Sequence, residues 1–317
     1  MKSGKALVAL LSLSVLAFGL RCPGQEPDRK VRILGVGNSF TNNATRHLPQ
    51  IIASDPAIQA EVGVAIIGGC SLERHVTLAK LHEENPEEPK AKIYSYRVDH
   101  QLRNPKASLK EILLDGPWDY ITIQQVSTGS YREETFYPFA KELYDYIKRY
   151  APDATIVVHE TWAHRIDCPR TKQWNLPPAA MYEKLHANYA KIAGELGARV
   201  IPVGTAFENA KKHPLWDYQP PADFDSKALV HPNLPDQSKS LHYGYFWRVD
   251  KDDKTKKTLG MDGFHAATPG EYLGGLVWYE FFFGKDARNI TYRPANLTEE
   301  QAASLREVAH QTMTGAE

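Results

Sequence analysis

Residues 31–41 read Val-Arg-Ile-Leu-Gly-Val-Gly-Asn-Ser-Phe-Thr. The first six form a short apolar run, with apolar side chains at both alternations, as a strand requires when helices cover both faces of its sheet. After the run come Gly37-Asn38-Ser39-Phe40-Thr41, where a strand would hand over to a helix. In parallel sheets that junction is where ligands sit, beyond the strand ends and against helix N-termini. Ser39 would there have its own backbone N–H facing a developing negative charge, and the glycines would allow a tight backbone approach. Read alone, the stretch equally allows Ser39 or Thr41 to be a helix cap.

Outward from this stretch the pattern repeats. Residues 61–67 (EVGVAII), 120–123 (YITI), 155–158 (TIVV) and 199–203 (RVIPV) are further strand candidates. Helical candidates cover 45–53, 107–114, 133–150 and 179–196. In the third, Phe136, Phe139, Ala140, Leu143, Tyr146 and Ile147 recur at helical spacing. This alternation predicts a three-layer α/β/α fold on a flavodoxin-like parallel sheet of about five strands. Residues 82–106 are charged and proline-bearing, which predicts a surface excursion. Residues 213–260 mix Pro, Asp and Lys with aromatics and read as an insertion carrying a short hairpin that roofs part of a cleft. Helical periodicity resumes at 269–283 and 298–313, with Thr298 in the N-cap region of the last helix.

The 317 residues are 42% apolar, and Lys+Arg balance Asp+Glu at 38 each, so no net field favours nucleic acid. Lys2 and Lys5 precede the uncharged apolar run 6–20, which reads as a secretory signal within residues 1–25 rather than a membrane span. The expected organisation is that signal followed by a single domain at 26–317, secreted or periplasmic, with no membrane association after cleavage. Arg21 stands where a lipid-modified Cys22 would need a small residue. Cys22, Cys70 and Cys168 are scattered and predict unpaired thiols rather than a disulfide framework or a thiolate metal site.

A second chemical element is Asp262-Gly-Phe-His265, just before the penultimate helix. It can set a carboxylate beside an imidazole, and a serine hydroxyl needs such a base within hydrogen-bond reach. Together with Gly37-Asn38-Ser39-Phe40, this pattern resembles the SGNH (GDSL-type) hydrolases. It is most similar to a branch of secreted bacterial proteins often labelled a domain of unknown function. The matching pieces are GNSFT at 37–41, GGCSLERH at 68–75, WDYITIQQVS at 118–127, HETWAH at 159–164 and DGFHAATPGEYLGGLVWYEFFFG at 262–284.

The resemblance implies Ser39 as nucleophile, His265 as general base and Asp262 as its orienting carboxylate. It also implies oxyanion donors from the amides of Ser39 and Gly69 (or Gly68). A third donor, usually an asparagine, is here replaced within Gln124-Gln125, with Gln124 the better match and Gln125 the lesser one. Trp162 is expected near the cleft, in contact with substrate. The implied activity is ester hydrolysis through an acyl-serine, without cofactor or metal. The substrate expected from export and the branch is a small-molecule or polysaccharide ester, most simply an O-acetyl group on carbohydrate. His159-Glu160-x-x-x-His164 is one residue too long for a zinc helix and follows a strand. Two rivals remain at this stage, a lipid esterase or lysophospholipase on the same fold and a catalytically silent carbohydrate-binding protein.

Overall fold

The computed structural model describes residues 30–222 and 224–315, so the signal reading at 1–25, with Cys22, lies outside the described residues. The strands are β1 (Val31–Gly37), β2 (Ala60–Ile66), β3 (Tyr94–Val98), β4 (Gln101–Ala107), β5 (Tyr120–Ile123), β6 (Thr155–His159), β7 (Arg199–Ile201), β8 (His242–Val249) and β9 (Lys257–Ala266). The helices that follow them are α1 (Ser39–Ala44), α2 (Leu48–Ala53), α3 (Leu72–Glu84), α4 (Leu109–Leu114), α5 (Phe139–Tyr150), α6 (Pro169–Gln173), α7 (Pro178–Leu196), α8 (Val203–Ala210), α9 (Thr268–Phe283) and α10 (Glu299–Thr314). The main sheet runs β4-β3-β2-β1-β5-β6-β7, and β8-β9 form a separate ribbon. Strands β2, β1, β5, β6 and β7 are mutually parallel in the flavodoxin order, with β1 at the switch point.

The apolar run of β1 is divided between two cores. Ile33 joins the cluster under α1, α2, α8, α9 and α10, whereas Leu34 and Val36 join the cluster under α3, α4, α5 and α7. Successive strand residues point to opposite faces, so a strand buried on both reads as a continuous apolar run. No helix among the described residues is long and apolar enough to cross a membrane.

The structure differs from the sequence expectation in four places. Residues 82–106 are not simply an excursion, because β3 and β4 extend the sheet as an antiparallel edge hairpin paired to β2. Their signal is the alternation of buried Tyr94, Tyr96 and Val98 with Ser95 and Arg97. The helix expected at 133–150 is split by Pro138, leaving a short 3₁₀ turn before α5. Helices α3, α6 and α8 were not expected. The hairpin of the insertion runs beyond 260 to Ala266, so Asp262 and His265 sit on a strand end rather than in a free turn.

Candidate active site

Ser39 is the first residue of α1, directly beyond β1. Asn38 is the N-cap, its side chain accepting from the Phe40 amide, while the Ser39 amide belongs to the first turn and has no intrahelical carbonyl to reach. His265 Nε2 lies 2.7 Å from Ser39 Oγ, and His265 Nδ1 lies 2.7 Å from Asp262 Oδ2. The second Asp262 oxygen accepts from the backbone amides of His265 (3.0 Å) and Phe264 (3.3 Å). Burial alone would raise the Asp262 carboxyl, but the hydrogen bonds from the His265 ring and from these amides outweigh it and hold it below the usual carboxylate range. An ionised Asp262 only accepts, so Nδ1 carries the ring proton and Nε2 turns its lone pair to the serine hydroxyl. The site is open, with the His265 side chain 28% exposed.

The strand ends around Ser39 are tied together by carboxamides. Asn38 Nδ2 donates to the Cys70 carbonyl (2.9 Å), and Asn38 Oδ1 accepts from Gln124 Nε2 (2.8 Å). Because the Phe40 amide can only donate, the Asn38 atom it meets is oxygen and the Gln124 atom facing that oxygen is nitrogen; Gln124 Oε1 in turn accepts from the Thr41 hydroxyl (2.7 Å). This chain spans β2's turn, β1 and β5, three neighbours in the sheet. Gln124 is almost wholly buried and one of its two N–H groups is taken by Asn38. Gly37 makes room for the network, since a Cβ there would stand 2.2 Å from Thr41 Oγ1. Gly68 and Gly69 form a turn closed by Cys70 N–H to the Ile67 carbonyl; Gly69 has φ +62°, and a Cβ on either would meet open space.

The remaining candidates fall elsewhere. Gln125 is not bonded toward Ser39: its oxygen accepts from the Leu72 and Val126 amides and its nitrogen donates to the Thr135 carbonyl. Trp162 does not reach the cleft surface. It is fully buried, stacked between Phe40 (4.3 Å) and Phe207 (4.5 Å), and its indole N–H donates to the Phe264 carbonyl (2.9 Å). It therefore braces helix α1, which carries Ser39, and the His265 segment from behind. His159, Glu160 and His164 point to different partners: the edge of Trp278, Thr205 with His186, and Ser127. Cys70 and Cys168 are unpaired and buried.

Sequence reasoning missed Asn38 and Thr41 as network members, and it missed Gly263. The Gly263 carbonyl accepts from Arg165 N–H at 2.7 Å, and a Cβ on Gly263 would stand 2.6 Å from Cys168 Cβ. Any side chain here would push the Asp262–His265 segment off its support.

The family model for a domain of unknown function, DUF4886, matches residues 32–218. The chain belongs to the DUF4886 family. The match contains Ser39, Gly69 and Gln124 and stops before the β8–β9 ribbon carrying Asp262 and His265. Among solved structures, a DUF4886 family protein from Bacteroides uniformis is 23% identical, with a TM-score of 0.69 over 90% of this chain and 95% of that one. Looser likenesses are a provisionally described SGNH hydrolase from Slackia heliotrinireducens (20% identical, TM-score 0.47, 80% of this chain and 98% of that one) and a lipase/acylhydrolase from Enterococcus faecalis (13%, 0.42, 80% and 96%). No curated protein matches this DUF4886 chain.

Proposed function

We propose that this DUF4886 protein is an exported SGNH-type serine esterase that removes ester groups, most simply O-acetyl groups, from carbohydrate. The observation that carries the reading is the unbroken chain from Ser39 Oγ through both ring nitrogens of His265 to Asp262, each link 2.7 Å. In this reading Ser39 Oγ attacks the ester carbonyl as its proton passes to His265 Nε2, and Asp262 stabilises the imidazolium. The carbonyl oxygen, now negative, is met by the Ser39 and Gly69 amides and by the second N–H of Gln124. Collapse expels the alkoxide, which takes the proton from Nε2. Water then repeats the sequence on the acyl-serine, returning Ser39 and releasing the acid.

The carbohydrate part rests on the charged, aromatic insertion, and export on the basic-then-apolar N-terminus. The test is hydrolysis of p-nitrophenyl acetate and of acetylated xylan or pectin by wild type and Ser39→Ala. An acetyl-enzyme trapped at Ser39 by mass spectrometry is the expected result. Turnover that survives Ser39→Ala removes the serine from the mechanism.

A further inference from the structure

A cavity of about 310 Å³ lies between the start of α7, helix α8 and the insertion. Helices α7 and α8 begin beyond the carboxyl ends of β6 and β7, so the cavity belongs to the same rim as Ser39. Its wall includes Phe207, Trp216, Tyr218, Leu241 and His242. Phe207 stacks on Trp162, which stacks on Phe40, so a single indole separates this wall from the neighbour of the nucleophile.

Arg165, Ser240 and His242 add polar groups to this wall, and the role of the His242 ring is fixed. His242 Nε2 lies 3.0 Å from the Ala163 carbonyl, which can only accept, so Nε2 carries the proton and Nδ1 is a lone-pair acceptor. Burial holds the pKa of His242 down at about 3, which keeps the ring neutral and this tautomer in place. Tyr218 is equally fixed, with its ring over the Arg165 guanidinium at 4.3 Å and its hydroxyl donating to Asp167 at 3.0 Å. Arg165 is itself locked by Asp167, Gln237 and Ser240, which pins the insertion to the segment after β6. Exposed Asp217 and Gln219 and the Glu208–Lys211 pair also line it. A rigid aromatic and aliphatic wall interspersed with a neutral imidazole acceptor and several polar side chains matches an occupant with apolar faces and a belt of hydroxyls.

We propose that this cavity is a saccharide subsite holding a neutral pyranose ring, with a hydroxyl donated to His242 Nδ1 and a C–H face against Tyr218. The subsite would anchor one sugar of a carbohydrate whose ester reaches Ser39. That role rests on the esterase reading, whereas the binding itself does not.

The experiment uses Ser39→Ala protein, which cannot turn a substrate over. Ligand-observed NMR and tryptophan fluorescence follow titration with the methyl β-pyranosides of glucose, galactose, mannose, xylose and N-acetylglucosamine. Decanoate is the probe for an acyl chain in the same space. The expected result is saturable binding of at least one pyranoside, on the order of millimolar, undisturbed by decanoate. His242→Phe keeps the ring volume and removes the acceptor, and should weaken that binding about tenfold. Tyr218→Ala should weaken it as well. Because Tyr218 is half-buried, it decides the matter if the His242 variant shows a collapsed melting transition. The subsite is overturned if no pyranoside saturates, if decanoate displaces the sugar, or if a folded variant binds it as tightly as its parent. Wild-type hydrolysis of p-nitrophenyl acetate, which contains no sugar, separates the two readings. Loss of sugar binding beside intact acetate hydrolysis removes the subsite alone, and sugar binding beside absent hydrolysis removes the esterase alone.

Discussion

Ser39 and Ser127 each place a hydroxyl against an imidazole, the first 2.7 Å from His265 Nε2 and the second 3.2 Å from His164 Nε2. The surroundings of the two imidazoles differ. Behind His265 stands an ionised carboxylate that can stabilise the imidazolium formed when the ring takes up a proton. Behind His164 stands the Cys168 thiol, 4.0 Å away and a weak partner. His164 is also sealed from solvent, and its pKa falls to about 3, first through burial and then through the nearby Arg170 guanidinium. A serine–histidine contact alone therefore does not make a nucleophile. The contact becomes useful where a carboxylate stabilises the imidazolium, a helix N-terminus offers amides, and the substrate can enter.

This contrast can be broken most directly at the two serines. Ser39→Ala is expected to lower kcat by about 10⁴-fold or more, while Ser127→Ala should stay within about threefold of wild type. Comparable losses at both would mean that His164 takes part in catalysis and that the comparison is misdrawn. The next test removes the feature that separates the pairs. Asp262→Asn should cost about 10³–10⁴-fold in kcat, because the amide can donate to Nδ1 and so favours the tautomer that turns an N–H toward Ser39. A variant retaining more than about a tenth of wild-type kcat would show that His265 needs no carboxylate.

The adjacent glutamines offer a smaller version of the same contrast. Gln124→Ala should cost about 2–4 kcal/mol in the barrier, seen in kcat with KM little changed, since an oxyanion contact strengthens only in the transition state. Gln125→Ala strands the buried Leu72 amide and the half-buried Val126 amide and should instead lower stability by about 1–3 kcal/mol, read as a melting or urea shift. If Gln125→Ala is the variant that loses kcat, the oxyanion assignment is off by one residue.

What could be read in advance followed from local pattern. Local pattern offered Ser39 beyond β1 and set Asp262 beside His265, because these relations lie within a few residues, but their roles came from the resemblance that joins the two motifs. The Asn38–Gln124–Thr41 network joins positions 86 and 83 apart in the chain, so no window of sequence contains it. Trp162 was legible as aromatic, but an indole suits a cleft and a core equally well. Its burial was decided by Phe40 and Phe207 arriving from other elements. The edge hairpin was hidden because Glu83, Glu84, Glu87 and Glu88 dominate the composition just ahead of the Tyr94–Tyr96–Val98 alternation.

The smallest effect concerns what sealing His164 does to the fold. Its folded pKa is about 3, against about 6.5 in an unfolded chain. Between these values the unfolded chain binds a proton that the folded chain refuses. The stability tied to His164 is thus complete above pH 6.5 and is lost progressively as pH falls below it toward 3. From pH 7 to pH 5 that loss amounts to about 2 kcal/mol for one such histidine. His75, His159 and His242, also held at about 3 chiefly by burial, add the same sign. His164→Phe keeps a ring in the site and removes the titration. Its absolute stability will move with the lost Ser127 contact, so the informative quantity is the difference between pH 7 and pH 5 in urea unfolding. That difference should shrink by about 2 kcal/mol relative to wild type. Equal differences in the two proteins would mean that His164 takes up a proton in the folded state, and the distinction between a sealed imidazole and a working one would then rest on Asp262 alone.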